Sequence, residues 1–361
     1  MTKRFLSIML SITVLAFTGC SEDDSPSGPI DIVIEGANVT PEVGGPNQQN
    51  QVYIDLSTNT STTVQRDSWD LGFYSGSEHR VIINGSIYMA TAQLTTTDID
   101  AVNKNSTEVQ DLQQRVAVGT FQAESAAFID APDGNLSKTA IAEISETDAE
   151  NHVYLVNLGF AVGTETPATG SVAINGESRG WKKIRILKRD ENYLLQYADL
   201  DATSHEEVSI SKNSDYNFTF FSFNSNTETS VEPAKMDWDL KFSVFTNEIP
   251  GYGAYGYSDF VVNNLNANAK IYMIDSAENT ELTYDNFILA DVDMNNFSDD
   301  QRGIGSSWRN GGGPSTEPSL KENLFYIVND TDGNLYKLKF LALTNEAGER
   351  GYPQFVYSLL Q

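Results

Sequence analysis

The chain has 361 residues, 23 Lys and Arg against 50 Asp and Glu, and a formal net charge of −27. A body this acidic does not hold nucleic acid by neutralising phosphates, and anionic lipid surfaces repel it. The single cysteine excludes an intramolecular disulfide and a Cys-based metal cluster.

Lys3 and Arg4 precede an apolar run, Phe5 to Phe17, broken only by Ser7, Ser11 and Thr13. Thr18 and Gly19 follow, and then Cys20. A basic head, an apolar stretch and small residues predict a secretory leader over residues 1–19. The stretch falls short of the ~20 residues that a helix needs to cross a bilayer. Small residues directly before Cys20 resemble the lipobox of bacterial lipoproteins, although Phe17 stands where an aliphatic residue is usual. That resemblance implies that Cys20 carries a lipid and becomes the new N-terminus. Glu22, Asp23 and Asp24 behind it resemble a surface-export signal of some Gram-negative lineages; the same stretch also reads as a solvated linker. The expected location is the outer membrane, lipid-anchored and exposed at the cell surface. Residues 20–50, rich in Pro, Gly, Asn and Gln, are expected to be a flexible linker.

The body opens with Val52, Ile54 and Leu56 alternating with Tyr53 and Asp55, the pattern of a half-buried strand. Trp69, Leu71 and Phe73 repeat it. Ten further strands are predicted, among them "RVIIN", "WKKIRILKR", "NYLLQYADL", "YNFTFFSF", "DWDLKFSVF" and "LYKLKFLAL". Asp133-Gly134 and Asp332-Gly333 are turn signals, the second inside a hairpin. Val109, Leu112 and Val116 lie at helical spacing, with Ser106 or Thr107 as cap, while Ser137–Ile144 is ambiguous. With 16 Tyr and 18 Phe, these elements predict an all-β protein with few short helices.

The chain also repeats itself. "STNTSTTVQRDSWDLGF" matches "NSNTETSVEPAKMDWDLKF", and His152–Leu200 matches Leu324–Leu360 in the same order. The expectation is two tandem, similar, sandwich-like β-rich units, residues 51–205 and 216–361, or halves that share one sheet. Trp69 and Trp238 are expected as core anchors, with Asp70 and Asp239 on the opposite strand face.

"YIDLST", "WDLGFYS", "RVIING", "WDLKF" and "YIVNDTDGNLYKLKFLALTNEAGERGYPQFVYSL" resemble the HmuY-like haem-binding lipoproteins. The likeness covers most of residues 50–361 in two passes, whereas the best-known members are about half as long. It implies an all-β body, lipid attachment at the outer membrane, and capture of haem or a related porphyrin for a TonB-dependent outer-membrane transporter. Family members hold haem iron with His or Met side chains from loops. Of the three histidines, His79 follows the first Trp-Asp-Leu strand and is the first candidate for iron, with Arg80 beside it for a propionate. Its plain alternative is a surface loop histidine. His152 precedes a strand, and His205 sits among Glu206 and Glu207. Met89 and Met294 are the candidate thioether donors, against the usual role of Met as core filler.

"PGYGAYGYSDF" at 250–260 offers tyrosines to a planar ligand or a glycan, or covers a sheet edge. "DVDMNNFSDD" lacks the Gly and the closing Glu of a calcium loop. Phosphate loop, nucleophile elbow and His-Glu-x-x-His motifs are absent from the sequence, and no enzyme is expected. The alternative to haem capture is a surface lipoprotein that binds a glycan or a protein partner.

Overall fold

The computed structural model describes residues 34–313 and 316–361. The leader, Cys20, the acids behind it and the first part of the expected linker lie outside the described residues. From residue 34 onward the chain packs as one body.

Among the described residues, nine strands of the first sequence copy enter the four larger sheets: β1 (Gly36–Val39), β2 (Asn50–Asp55), β3 (Thr60–Gln65), β4 (Leu71–Tyr74), β5 (Val81–Ile83), β6 (Ala90–Gln93), β7 (Tyr154–Asn157), β8 (Trp181–Arg189) and β9 (Asn192–Asp199). Nine equivalents follow: β10 (Glu206–Ile210), β11 (Phe218–Ser222), β12 (Thr227–Thr229), β13 (Leu240–Ile249), β14 (Gly253–Asn263), β15 (Lys270–Asp275), β16 (Leu324–Asn329), β17 (Leu335–Thr344) and β18 (Arg350–Leu359). The β2–β3 and β11–β12 hairpins turn through Asn59 and Asn226, at φ 53 and 54. Asparagine enters this left-handed region at little cost. Asp332-Gly333 makes the expected tight turn between β16 and β17, with the Gly333 N–H donating to the Asp330 carbonyl. Among the described residues one α-helix forms, α1 (Thr107–Gln113), which buries Val109 and Leu112 as its spacing predicts. The ambiguous Ser137–Ile144 segment is not a helix: a 3-10 turn at Leu136–Lys138 leads into irregular backbone that buries Ile141 and Ile144.

The protein is all-β, and the antiparallel sheets exchange strands between the sequence copies. The orders are β10-β9-β8-β7-β6, β1-β18-β17-β16-β15, β12-β11-β4-β5 and β3-β2-β13-β14. Thus β2 pairs with β13, Tyr53 opposite Lys241, while β11 pairs with β4, Phe220 opposite Gly72. Likewise β1 adds to β18 and β10 to β9. One core is closed entirely by β4–β12 and holds Leu71, Phe73, Ile184, Leu195, Phe221 and Phe223. The other joins β1–β3 to β13–β18 and holds Val52, Ile54, Leu240, Phe242, Tyr326 and Tyr357.

The unit boundaries read from the repeat, 51–205 and 216–361, therefore cut across both cores. The repeat begins at β1 and β10, but the edges those strands satisfy belong to the other copy. The expected linker also ends sooner than residue 50. Gly36–Val39 is a paired strand, Gly45–Asn47 a 3-10 turn, and Gln48 is buried and bonded to Asp259. Strand β2 is buried on both faces rather than one, because Val52 and Ile54 enter a core while Tyr53 enters the contact between the two sheets that carry the exchanged hairpins.

Candidate ligand-binding cleft

Each Trp-Asp-Leu segment acts as a clamp on the hairpin of the other copy. The leucines, Leu71 and Leu240, are sealed in the two cores. Trp69 meets Phe220 edge-on at 4.8 Å, and Trp238 meets Tyr53 edge-on at 5.0 Å. Strand alternation sends the aspartates away from the tryptophans, yet they are buried too. Asp70 accepts the Phe223 N–H at 2.6 Å and pairs with Arg179 at 2.6 Å. Asp239 accepts the Leu56 and Thr331 N–H groups, both at 2.8 Å. Asn84 and Asn264 complete the equivalence by donating to the Trp69 and Trp238 carbonyls at 2.8 and 2.9 Å.

Between the two clamps lies a cleft of about 140 Å³. Gln51, Tyr53 and Lys241 line one side; Phe218, Phe220 and Ile82 line the other, with both tryptophans and Glu232 around it. Burial pushes the Glu232 carboxyl up to about 8, against the pull of the Phe218 N–H that it accepts at 2.9 Å. Burial also lowers the Lys241 ammonium, and Glu232 partly offsets this. The two do not form an ion pair. Asp130, at the cleft wall, is pushed up to about 7 by burial while it accepts the Ile83 and Ala140 N–H groups. Four buried atoms of the lining have no hydrogen-bond partner: Nε2 and Oε1 of Gln51, and Nε1 of Trp69 and of Trp238. Sequence reasoning missed Gln51, Glu232 and Lys241. The available signal was the contrast of "WDLGF" with "WDLKF", a charged residue at a position where the sister strand carries glycine.

The residues expected to hold haem are not gathered into one site. His79 is buried rather than displayed in a loop; its ring packs on Tyr193 at 4.9 Å, and its Nε2 lies 3.2 Å from the Glu191 carbonyl. Burial and then the charges of Lys212 and Lys188 lower its pKa. Arg80 is paired with Glu143 at 2.7 Å and Glu78 at 3.5 Å. Met89 is sealed in the first core, whereas Met294 is exposed at a 3-10 turn. His152 bonds the Leu94 carbonyl, and His205 meets Asp100. Among the described residues, no group of three or more His, Cys, Asp or Glu side chains is arranged to hold a metal ion. With His79 and Met89 buried and Met294 exposed, these side chains as placed do not offer a pair of donors to a haem.

The HmuY protein family model matches residues 47–357. The chain belongs to the HmuY family. HmuY-like members bind haem, and the family is one of carriers rather than enzymes. Among solved structures, apo PinO from Porphyromonas gingivitis is 9% identical, covering 91% of this chain and 98% of its own, with a TM-score of 0.32. The apo HmuY analogue TFO of Tannerella forsythia is 11% identical over 92% and 100% of the two chains, at 0.24. A protein of Bacteroides vulgatus, described as HmuY-like and haem-binding, is 9% identical over 90% and 91%, at 0.22. No curated protein matches the chain by sequence.

Proposed function

We propose that this HmuY family member is a lipoprotein of the outer-membrane surface that binds haem or a related porphyrin and passes it to a TonB-dependent transporter. Membership over residues 47–357 carries the reading. The small residues before Cys20 and the acids after it support the anchor and the surface location. The proposal does not rest on iron ligation by His79, Met89 or Met294, of which the first two are buried, nor on Arg80, which has carboxylate partners.

Titration of the chain from residue 34 onward with haem tests the proposal. A saturable shift of the Soret band supports it, with His79→Ala expected to leave the band in place. A free-haem spectrum throughout refutes it. Protease added to intact cells should release the protein; protection until the outer membrane is broken refutes the surface location.

A second reading, binding of a glycan or a protein partner, is favoured by one observation. Phe121 is 57% exposed at φ 56, a costly backbone state for a bulky residue, and meets the ring of Tyr255 at 5.5 Å, tilted by 43°; Tyr252, in the same tyrosine-rich segment, is exposed too.

A further inference from the structure

We propose that the cleft between the two Trp-Asp-Leu strands binds one uncharged ring with hydroxyls on its edge and C–H groups on its faces, a monosaccharide in its pyranose form. The site is separate from the haem reading and does not depend on it.

The argument starts from the matched positions of the two exchanged hairpins and their partner strands. Pairing puts Gln51 at the place of Phe218, Tyr53 at that of Phe220, Lys241 at that of Gly72, and Val262 at that of Ile82. The cleft thus has one apolar wall and one polar wall, built on the same backbone. Gly72 keeps the apolar wall flat: a Cβ there would lie 2.8 Å from Ile82 and 3.1 Å from Phe220.

The polar wall is the costly one. Gln51 is fully buried, and neither atom of its amide has a partner. Leaving such buried atoms without a partner costs the folded state stability. Phe218 shows that an apolar side chain fits the equivalent position, so the fold does not require the amide. The indole Nε1 atoms of Trp69 and Trp238 carry the same cost on either side. An occupant that pairs these atoms recovers it.

The required chemistry follows from what lines the space. Lys241 and three N–H groups are donors; the Gln51 oxygen and the Glu232 carboxyl accept. A hydroxyl serves both kinds of partner. An anion would oppose the Gln51 oxygen and meet only a Lys241 ammonium that burial disfavours; a cation would oppose Lys241 and the N–H groups and find in Glu232 a carboxyl that burial keeps largely protonated. A purely apolar ring would leave all of them unpaired. Phe220 and Ile82 present a surface to the C–H face of a sugar ring, as aromatic and apolar walls do for ligands generally. The cleft, about 140 Å³, suits a single ring. An engineered cavity of about 150 Å³ takes benzene, and pockets for drug-sized ligands begin at about 300 Å³.

The experiment titrates glucose, galactose and mannose into the chain from residue 34 onward, following tryptophan fluorescence and heat. A saturable response to at least one sugar, weakened about tenfold or more by Gln51→Leu, supports the site, that factor being the usual worth of one hydrogen bond to a buried polar group. Lys241→Met should weaken it as well. Gln51→Leu is expected to melt no lower than the parent, which keeps the test free of unfolding, and it decides alone if Lys241→Met does not fold. No response to any of the three sugars, or a response that Gln51→Leu leaves unchanged, overturns the proposal. Haem titrated in parallel separates the two readings: a sugar response without a Soret shift removes haem only, and the converse removes this site only.

Discussion

Asp70 and Asp239 occupy the same position in the two copies, and each holds the hairpin of the other copy by accepting a backbone N–H, from Phe223 and from Leu56. They differ in what meets the second oxygen. Asp70 has Arg179, which arrives on the long connection between β7 and β8. In the second copy that connection is the tight Asp330–Asn334 turn, and it delivers only the N–H and hydroxyl of Thr331. Burial, aided by nearby Asp330 and Asp55, then pushes the Asp239 carboxyl up to about 7 against those hydrogen bonds. The longer connection brings Asp70 an ion-pair partner, while the short turn leaves Asp239 with hydrogen bonds only.

The largest expected effect comes from cutting the chain. Residues 66–232 contain β4–β12 and a whole core, and should melt cooperatively by circular dichroism in urea. Residues 51–205, the sequence copy, lack β10–β12 and should not fold. The opposite outcome would break the exchange described here.

Trp69→Ala and Trp238→Ala should each cost ~3–5 kcal/mol by urea unfolding, as large side chains at the contact between the exchanged sheets do. A loss in one and not the other would show that only one clamp holds.

The aspartates separate next. Asp70→Asn leaves the part-buried Arg179 without its charge partner and should cost ~1.5–3 kcal/mol at pH 7; Asp239→Asn should cost ~1 kcal/mol. The pH dependence sharpens the contrast. The folded pKa of Asp239, about 7, lies above the ordinary 3.8, so the folded state holds the extra proton. The resulting stability is complete below the ordinary value and is lost as pH rises through the folded one. Asp130, at about 7, and Glu232, at about 8, act in the same direction. The urea midpoint of the parent should fall from pH 5 to pH 8.5, and Asp239→Asn should remove part of that slope. Equal slopes would refute the assignment. The smallest effect is Met294→Ala, at an exposed turn, expected within ~0.5 kcal/mol of the parent.

Everything set by near neighbours was open to reading from the sequence. Alternating apolar residues marked the strands, Asp332-Gly333 the closing hairpin, and the spacing of Val109, Leu112 and Val116 the helix. The duplicated Trp-Asp-Leu segments and the HmuY likeness were visible because both are matters of order along the chain. Alternation specifies which face of a strand is apolar, but it does not say which distant edge will satisfy the backbone. Packing therefore decided that β2 joins β13 and β11 joins β4. It decided equally that His79 is covered by Glu191 and Tyr193, more than a hundred residues away, and that Gln51 and Lys241 face Phe218 and Phe220 across one cleft. A residue's partners at that separation depend on how the sheets stack, and the sheets stack only once both copies are present.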